Sequence, residues 1–277
     1  MNYSDKINES VIYLKNLIHH TPTLGLVLGS GLGGLSENVK DRQEIHYKDI
    51  PHFPLSTVVG HAGSLLFGKV QEMSVVFMQG RFHYYEGYTM KEVVFPYYVL
   101  KALGVKTMIL TNACGGINTS YTPGDIVVVE DFINLVINNP LIGENDVNLG
   151  PRFPDMTEPY DQGLINRAQK IAKDLNISFK TGVYGFFAGP YYETRAEIRA
   201  YGRLGCDLIG MSTVPETIAL NHMGVKTIAF AVVTNMATGI QDKKHDHAHV
   251  VAMAKQASET LSLWLDALIQ NLSKELK

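Results

Sequence analysis

The chain has 277 residues, 45% of them hydrophobic and 18% charged, so it can bury a large core and reads as globular. Its 24 Lys and Arg against 27 Asp and Glu leave a formal charge of -3 with no run of like charge, which excludes the clustered basic footprint of a nucleic-acid binder. Two cysteines, Cys114 and Cys206, argue against a disulfide framework, and the polar start MNYSDKINES with no apolar run of about 18 residues excludes a signal peptide or membrane span, so the expected location is the cytoplasm.

In chain order, short apolar β-branched runs alternate with amphipathic segments, the pattern of an α/β domain with a mostly parallel sheet. A helix is predicted over 7–19 and a strand over 24–28. Strands at 64–70 and 74–79, separated by a Gln71-Glu72 turn, form a predicted hairpin and make the sheet mixed. A helix follows at 90–103, where Pro96 should introduce a kink, then strands at 107–111 and 125–129. The irregular stretch 138–159 is too long for a simple connection and is expected to be a functional loop. Beyond it come a helix at 161–175, a strand at 181–184, helices at 195–204 and 215–222, a strand at 227–233 and a helix at 247–272; Pro215 suits a first helical turn. No Ser/Pro/Gly-rich linker divides the chain, so residues 1–277 are expected to form a single domain with a central mixed β-sheet flanked by helices.

One internal echo stands out. GVKTMILTN at 104–112 and GVKTIAFAVVTN at 224–235 are each a Gly-Val-Lys-Thr turn, an apolar strand and a terminal Thr-Asn. Two copies do not make a repeat protein, but they place Asn112 and Asn235 beyond the carboxyl ends of strands, where open α/β sheets bind ligands.

The segment LVLGSGLGGLSEN carries Gly29, Gly31 and Gly34 on a G-x-G-x-x-G spacing. A dinucleotide fold requires a helix directly after those glycines, and LSENVKDRQEIHYKDIPHFP runs instead through polar residues to prolines, so that reading fails. Two readings of the turn remain: a nest of backbone N–H groups around Ser30 that receives an anion, or a tight turn that uses glycine only for positive φ. GRFHYYEGY at 80–88 adds Arg81, whose planar fork matches phosphate or carboxylate, and His83 on the same side of an extended chain. Gly60-His61-Ala62-Gly63 places a histidine among small residues, which by itself is a polar surface group as easily as an anion contact.

GSGLGG at 29–34, GHAG at 60–63, GRFHYYEGY at 80–88, TNACGG at 111–116, AGPYYET at 188–194, GMSTVPE at 210–216 and VVTN at 232–235 together resemble the trimeric purine nucleoside phosphorylases, in that family's order and across most of the chain. The resemblance implies a nucleoside phosphorylase-like fold, a homotrimer, and cleavage of purine nucleosides by inorganic phosphate as co-substrate, with no metal and no organic cofactor. It implies a phosphate pocket of Ser30, Arg81, His83, Ser212 and the backbone N–H of Ala113, with His61 over it. It further implies sugar contacts from Tyr85, Met211 and His247, and base contacts from Tyr192, Glu193, Met211, Thr234 and Asn235. Phe153, in RFPD, matches the aromatic that members of this family lend to a neighbouring subunit. Cys114 and Tyr192 depart from the commoner Ala and Phe, and 236–245 matches only loosely.

The chemistry can be stated without the family. Breaking a glycosidic bond builds positive charge on the sugar and negative charge on the departing purine, so donors are needed at the base and an anion at the sugar. The residues expected to carry catalysis are Asn235, Glu193 and His83. An Asn amide, which carries both donor and acceptor, can hydrogen-bond N7 and the 6-oxygen as charge develops there, and an ionised Glu193 accepts the N1–H of hypoxanthine or guanine. Adenine has no N1 proton, so inosine and guanosine are expected to be preferred over adenosine, a mismatch worth about 1–3 kcal/mol. A structural reading stands beside each: Glu193 as an acid at a helix N-terminus, Asn235 as a turn cap, Met211 as core filler. In KKHDHAHV, His245 and His249 are four apart and would share a helix face, but no third ligand or second shell is in view, so no metal is expected and the roles of Cys114, His245 and His249 stay open. The rival functions are a methylthioadenosine or xanthosine phosphorylase, a nucleoside hydrolase and a non-catalytic nucleoside-binding protein.

Overall fold

The computed structural model describes residues 1–55, 62–241 and 247–274, and of residues 35, 247 and 249 the backbone alone. Helix α1 (Tyr3–Lys15) begins four residues earlier than its apolar spacing suggests, because Asn2 and Asp5 form a capping box that satisfies the first N–H groups. Strands β1 (Leu24–Val27), β2 (Lys40–His46), β3 (Ser64–Val70) and β4 (Met73–Gln79) follow. Helix α2 (Met90–Leu103), capped by Thr89 and Glu92, runs on through Pro96. Strands β5 (Thr107–Gly116) and β6 (Ile126–Asn134), helix α3 (Gln162–Asp174) and strand β7 (Lys180–Phe186) precede α4 (Arg195–Leu204), β8 (Leu208–Gly210), α5 (Val214–His222), β9 (Lys226–Met236) and α6 (His247–Ser273).

The strands form one mixed sheet in the order β2-β3-β4-β1-β5-β8-β7-β6-β9, and β9 also pairs with β5, so its second half closes on itself. The β3/β4 hairpin is antiparallel, while β1 lies parallel to both β4 and β5. Two strands carry no readable signal in the sequence. β2, KDRQEIH, is an edge strand with only Ile45 buried, and edge strands need no apolar face; β8 is three residues long. Strands β5, β6 and β9 run further than their apolar runs, because backbone pairing continues through residues 111–116, 131–134 and 235–236, where polar and small residues break the apolar pattern.

Helices α1, α2 and α5 pack as one group and α3 and α6 as another. Trp264 of α6, with no solvent exposure, donates its indole N–H to the carbonyl of Ala168 at 2.9 Å, tying α6 to α3. Full burial of such a side chain contributes about 1.5–3 kcal/mol. No helix among the described residues is long and apolar enough to cross a membrane.

The internal echo becomes a pair of helix–turn–strand units lying side by side. Gly104 ends α2 at φ 126° and Gly224 follows α5 at φ 67°, both in the region that favours glycine. Val105 and Val225 then enter the core, and β5 and β9 run parallel from Thr107 opposite Lys226 onward.

Candidate active site

The carboxyl ends of β1, β4, β5 and β9 meet at one cavity of about 120 Å³. The glycines after β1 are there for close approach. A Cβ on Gly29 would stand 2.9 Å from the Asn112 Cα, and one on Gly31, at φ 78°, would stand 2.7 Å from the Val251 carbonyl of α6. Gly34 opens no helix of dinucleotide type: residues Gly33–Ser36 form a single 3-10 turn. The turn leaves Ser30 lining the cavity.

Arg81 follows β4 and is 2% exposed. Its Nε and Nη2 donate to the two carboxylate oxygens of Glu216 at 2.9 and 3.1 Å, a planar fork-to-fork pair. Its Nη1 donates to the Thr111 carbonyl at 2.7 Å and to Ser212 Oγ at 3.4 Å. Burial alone would lower the guanidinium pKa, yet the Glu216 carboxylate and its neighbours carry it above the ordinary value. The motif GMSTVPE by itself assigns Glu216 no role. The usable signal was physical: an arginine predicted in a buried pocket needs a buried acid, and Glu216 sits in the first turn of the Pro215 helix.

His83 is fixed twice by Glu86, whose Oε1 accepts from the His83 backbone N–H at 2.8 Å and lies 2.9 Å from Nδ1; the ring also stacks on Tyr85 at 4.7 Å between centroids. Ser212 precedes Thr213, which has φ 74°, a strained value for a β-branched residue that costs about 1–3 kcal/mol. Asn112 Nδ2 donates to Thr213 Oγ1 at 3.0 Å, and the Ser212 and Thr213 hydroxyls lie 3.2 Å apart, so the strained turn is held by the strand beside it. Asn112 and Asn235, equivalent in the sequence echo, therefore differ in duty: Asn112 braces Thr213, although both line the cavity.

Asn235 is aimed by a β-bulge. The β5/β9 register runs Cys114 opposite Val233 and then Gly115 opposite Asn235, so Thr234 is the extra residue. The Thr234 hydroxyl donates to the Cys114 carbonyl at 3.2 Å and to Asn235 Oδ1 at 3.0 Å, and Asn235 Nδ2 donates to the Met236 carbonyl at 3.2 Å. Glu193 is 5% exposed, and its carboxyl is pushed up to about 7, first by burial and further by the Glu197 carboxylate. It does not serve the helix it precedes, since Thr194 and Glu197 form the capping box of α4. Burial pushes the Cys114 thiol well up, leaving it a neutral wall of the cavity.

Ser30, Arg81, His83, Ala113 and Ser212 thus share one cavity with Tyr85, Tyr192, Glu193, Met211, Thr234 and Asn235. Phe153 is 87% exposed and lies outside it. His61 and His245 fall outside the described residues; His247 opens α6, and Val250 three residues on lines the cavity. Among the described residues no group of three His, Cys, Asp or Glu could hold a metal.

A family profile described as the phosphorylase superfamily matches residues 23–270. The chain is 47% identical over 252 residues to purine nucleoside phosphorylase 1 of Bacillus subtilis (strain 168), covering 91% of this chain and 93% of that one. Among solved structures it resembles Schistosoma mansoni purine nucleoside phosphorylase in complex with adenosine, at a TM-score of 0.93 and 38% identity over 97% of each chain. A Schistosoma mansoni purine nucleoside phosphorylase in complex with inosine gives a TM-score of 0.91 at 38% identity, over 96% of this chain and 95% of that one.

Proposed function

Because this chain belongs to the phosphorylase superfamily and, within it, to the purine nucleoside phosphorylases, we propose that it prefers the 6-oxopurine nucleosides inosine and guanosine, splits them with inorganic phosphate into free base and (deoxy)ribose 1-phosphate, and serves purine salvage in the cytoplasm. The observation that carries this reading is the convergence of Arg81, His83 and Ser212 with Glu193 and Asn235 on one cavity. The first three suit a phosphate dianion, together with Ser30, the Ala113 N–H and His61. The last two suit a purine, with Tyr192 and Thr234 beside them.

In this mechanism Arg81, held in place by Glu216, presents guanidinium N–H groups to a phosphate that is both nucleophile and counter-charge for the developing oxocarbenium. Tyr85, Met211 and His247 hold the sugar, and Phe153 contributes to a neighbour's sugar site in a homotrimer. As the C–N bond breaks, negative charge moves onto the purine, and the Asn235 amide donates to N7 while its partner Thr234 keeps the amide oriented. Ionised Glu193 accepts from N1–H. No metal and no organic cofactor takes part.

The decisive experiment is base release from inosine, guanosine, xanthosine and adenosine, each with and without inorganic phosphate. Phosphate-dependent release confined to inosine and guanosine is the expected result. Release without phosphate would replace phosphorolysis by hydrolysis, and equal rates with adenosine would overturn the Glu193/Asn235 account.

A further inference from the structure

The opposite end of β5 and β9 holds a second, larger cleft, of about 580 Å³. The duplicated Gly-Val-Lys-Thr turn builds it. In each copy the glycine follows a helix, the valine is buried, 1% exposed at Val105 and 4% at Val225, and the next residue, Lys106 or Lys226, is exposed and lines the cleft. The Lys226 N–H donates to the Lys106 carbonyl at 3.1 Å, so the two backbones meet here, and both lysines line the cleft. Lys101 from the end of α2 and Arg167 from α3 complete the charged lining.

Against these four cations stands one acid in the lining, Asp161, and it is committed. One of its oxygens accepts from the Leu164 N–H as the N-cap of α3, and the other lies 3.5 Å from Lys226 Nζ. A chain of net charge -3 has therefore gathered a local excess of positive charge where like charges repel. Such clustering is stable when a polyanion neutralises it. The cleft is too large for a single phosphate and too cationic for a neutral nucleoside, and Leu24, Met73, Leu164 and Leu272 give it an apolar floor.

We propose that this cleft is a second ligand site, distinct from the catalytic cavity, that takes a nucleoside polyphosphate with its phosphates across Lys106 and Lys226 and its ring against the apolar floor. The test is calorimetric titration of the full chain with ATP at low ionic strength, beside AMP and tripolyphosphate. ATP should bind saturably at one site per chain, at least 10-fold tighter than AMP, and tighter than tripolyphosphate, with affinity falling as salt is added. A Lys106→Gln/Lys226→Gln double variant should weaken ATP at least 10-fold while leaving inosine turnover and thermal midpoint unchanged. Asn235→Ala, which alters the catalytic cavity, should leave ATP affinity as it is. No saturable ATP binding, equal affinity for AMP or tripolyphosphate, full affinity in the double variant, or loss of ATP binding in Asn235→Ala would each overturn the proposal.

Discussion

The Arg81 group and the Glu193/Asn235 group line the same cavity and are built on opposite principles. Arg81 and Glu216 are 2% and 1% exposed and bound to one another through two hydrogen bonds, so every charge is matched before a ligand arrives. Glu193 is also buried, but burial and the nearby Glu197 carboxylate both disfavour its charge. Asn235 is held by one hydroxyl and one carbonyl on a strand bulge. A matched ion pair is rigid and suits a ligand that never changes, which in the proposed reaction is phosphate. A carboxyl poised near neutrality suits discrimination, because its proton decides whether it accepts or donates.

The largest effect should come from breaking the rigid half. Arg81→Met is expected to reduce phosphate-dependent kcat/KM by about 10²–10³-fold and, by leaving Glu216 buried without its cation, to cost about 3–5 kcal/mol of stability. Phosphorolysis assays and denaturant melts check both; wild-type stability would mean that the pair is not the brace it appears in the geometry. Glu216→Gln should follow the same direction with a smaller loss, and chiefly as a higher KM for phosphate with the KM for inosine unchanged, because the guanidinium keeps its charge and loses its position.

On the other half, Asn235→Asp should lower kcat/KM for inosine by about 10²-fold and raise adenosine relative to inosine, since a carboxylate accepts from a 6-amino group and repels a 6-oxygen. Competition between the two nucleosides gives the ratio directly, and an unchanged ratio would remove Asn235 from base selection.

The pH dependence is gentler. Glu193 must be ionised to accept N1–H, so the inosine-to-adenosine ratio should rise as pH passes upward through about 7 and flatten in Glu193→Gln. The linked stability has the opposite slope: with the carboxyl raised from 4.5, its burial carries no penalty below about pH 4.5, and the penalty grows as pH rises towards about 7. Tyr85→Phe should be the mildest change, below about 3-fold in kcat, since the ring keeps its stack on His83.

Much of this was readable before the fold. Ser30, Arg81, His83, Glu193 and Ser212 lie in short Gly-containing motifs, Asn235 lies in the Thr-Asn end of an apolar run, and all six line the cavity. Glu216 escaped because nothing local distinguishes it from an ordinary first-turn acid of a Pro-started helix. Thr213 escaped because φ is not written in the letters: a threonine there reads as any other, and the Asn112 amide that holds the strained turn comes from a strand 101 residues away. β2 escaped because an edge strand with one buried residue has no apolar alternation to read.

The sequence by itself determined the α/β class, the mixed sheet, most helix and strand positions and the chemical vocabulary of the cavity, since these follow from local periodicity, caps and turn residues. Only the tertiary structure decided which charges face one another. Arg81 and Glu216 are 135 residues apart in sequence, and the lysines of the two Gly-Val-Lys-Thr turns become neighbours only when β5 and β9 pair. Pairing across such separations is set by how the sheet closes, and neither partner carries a local mark of the other.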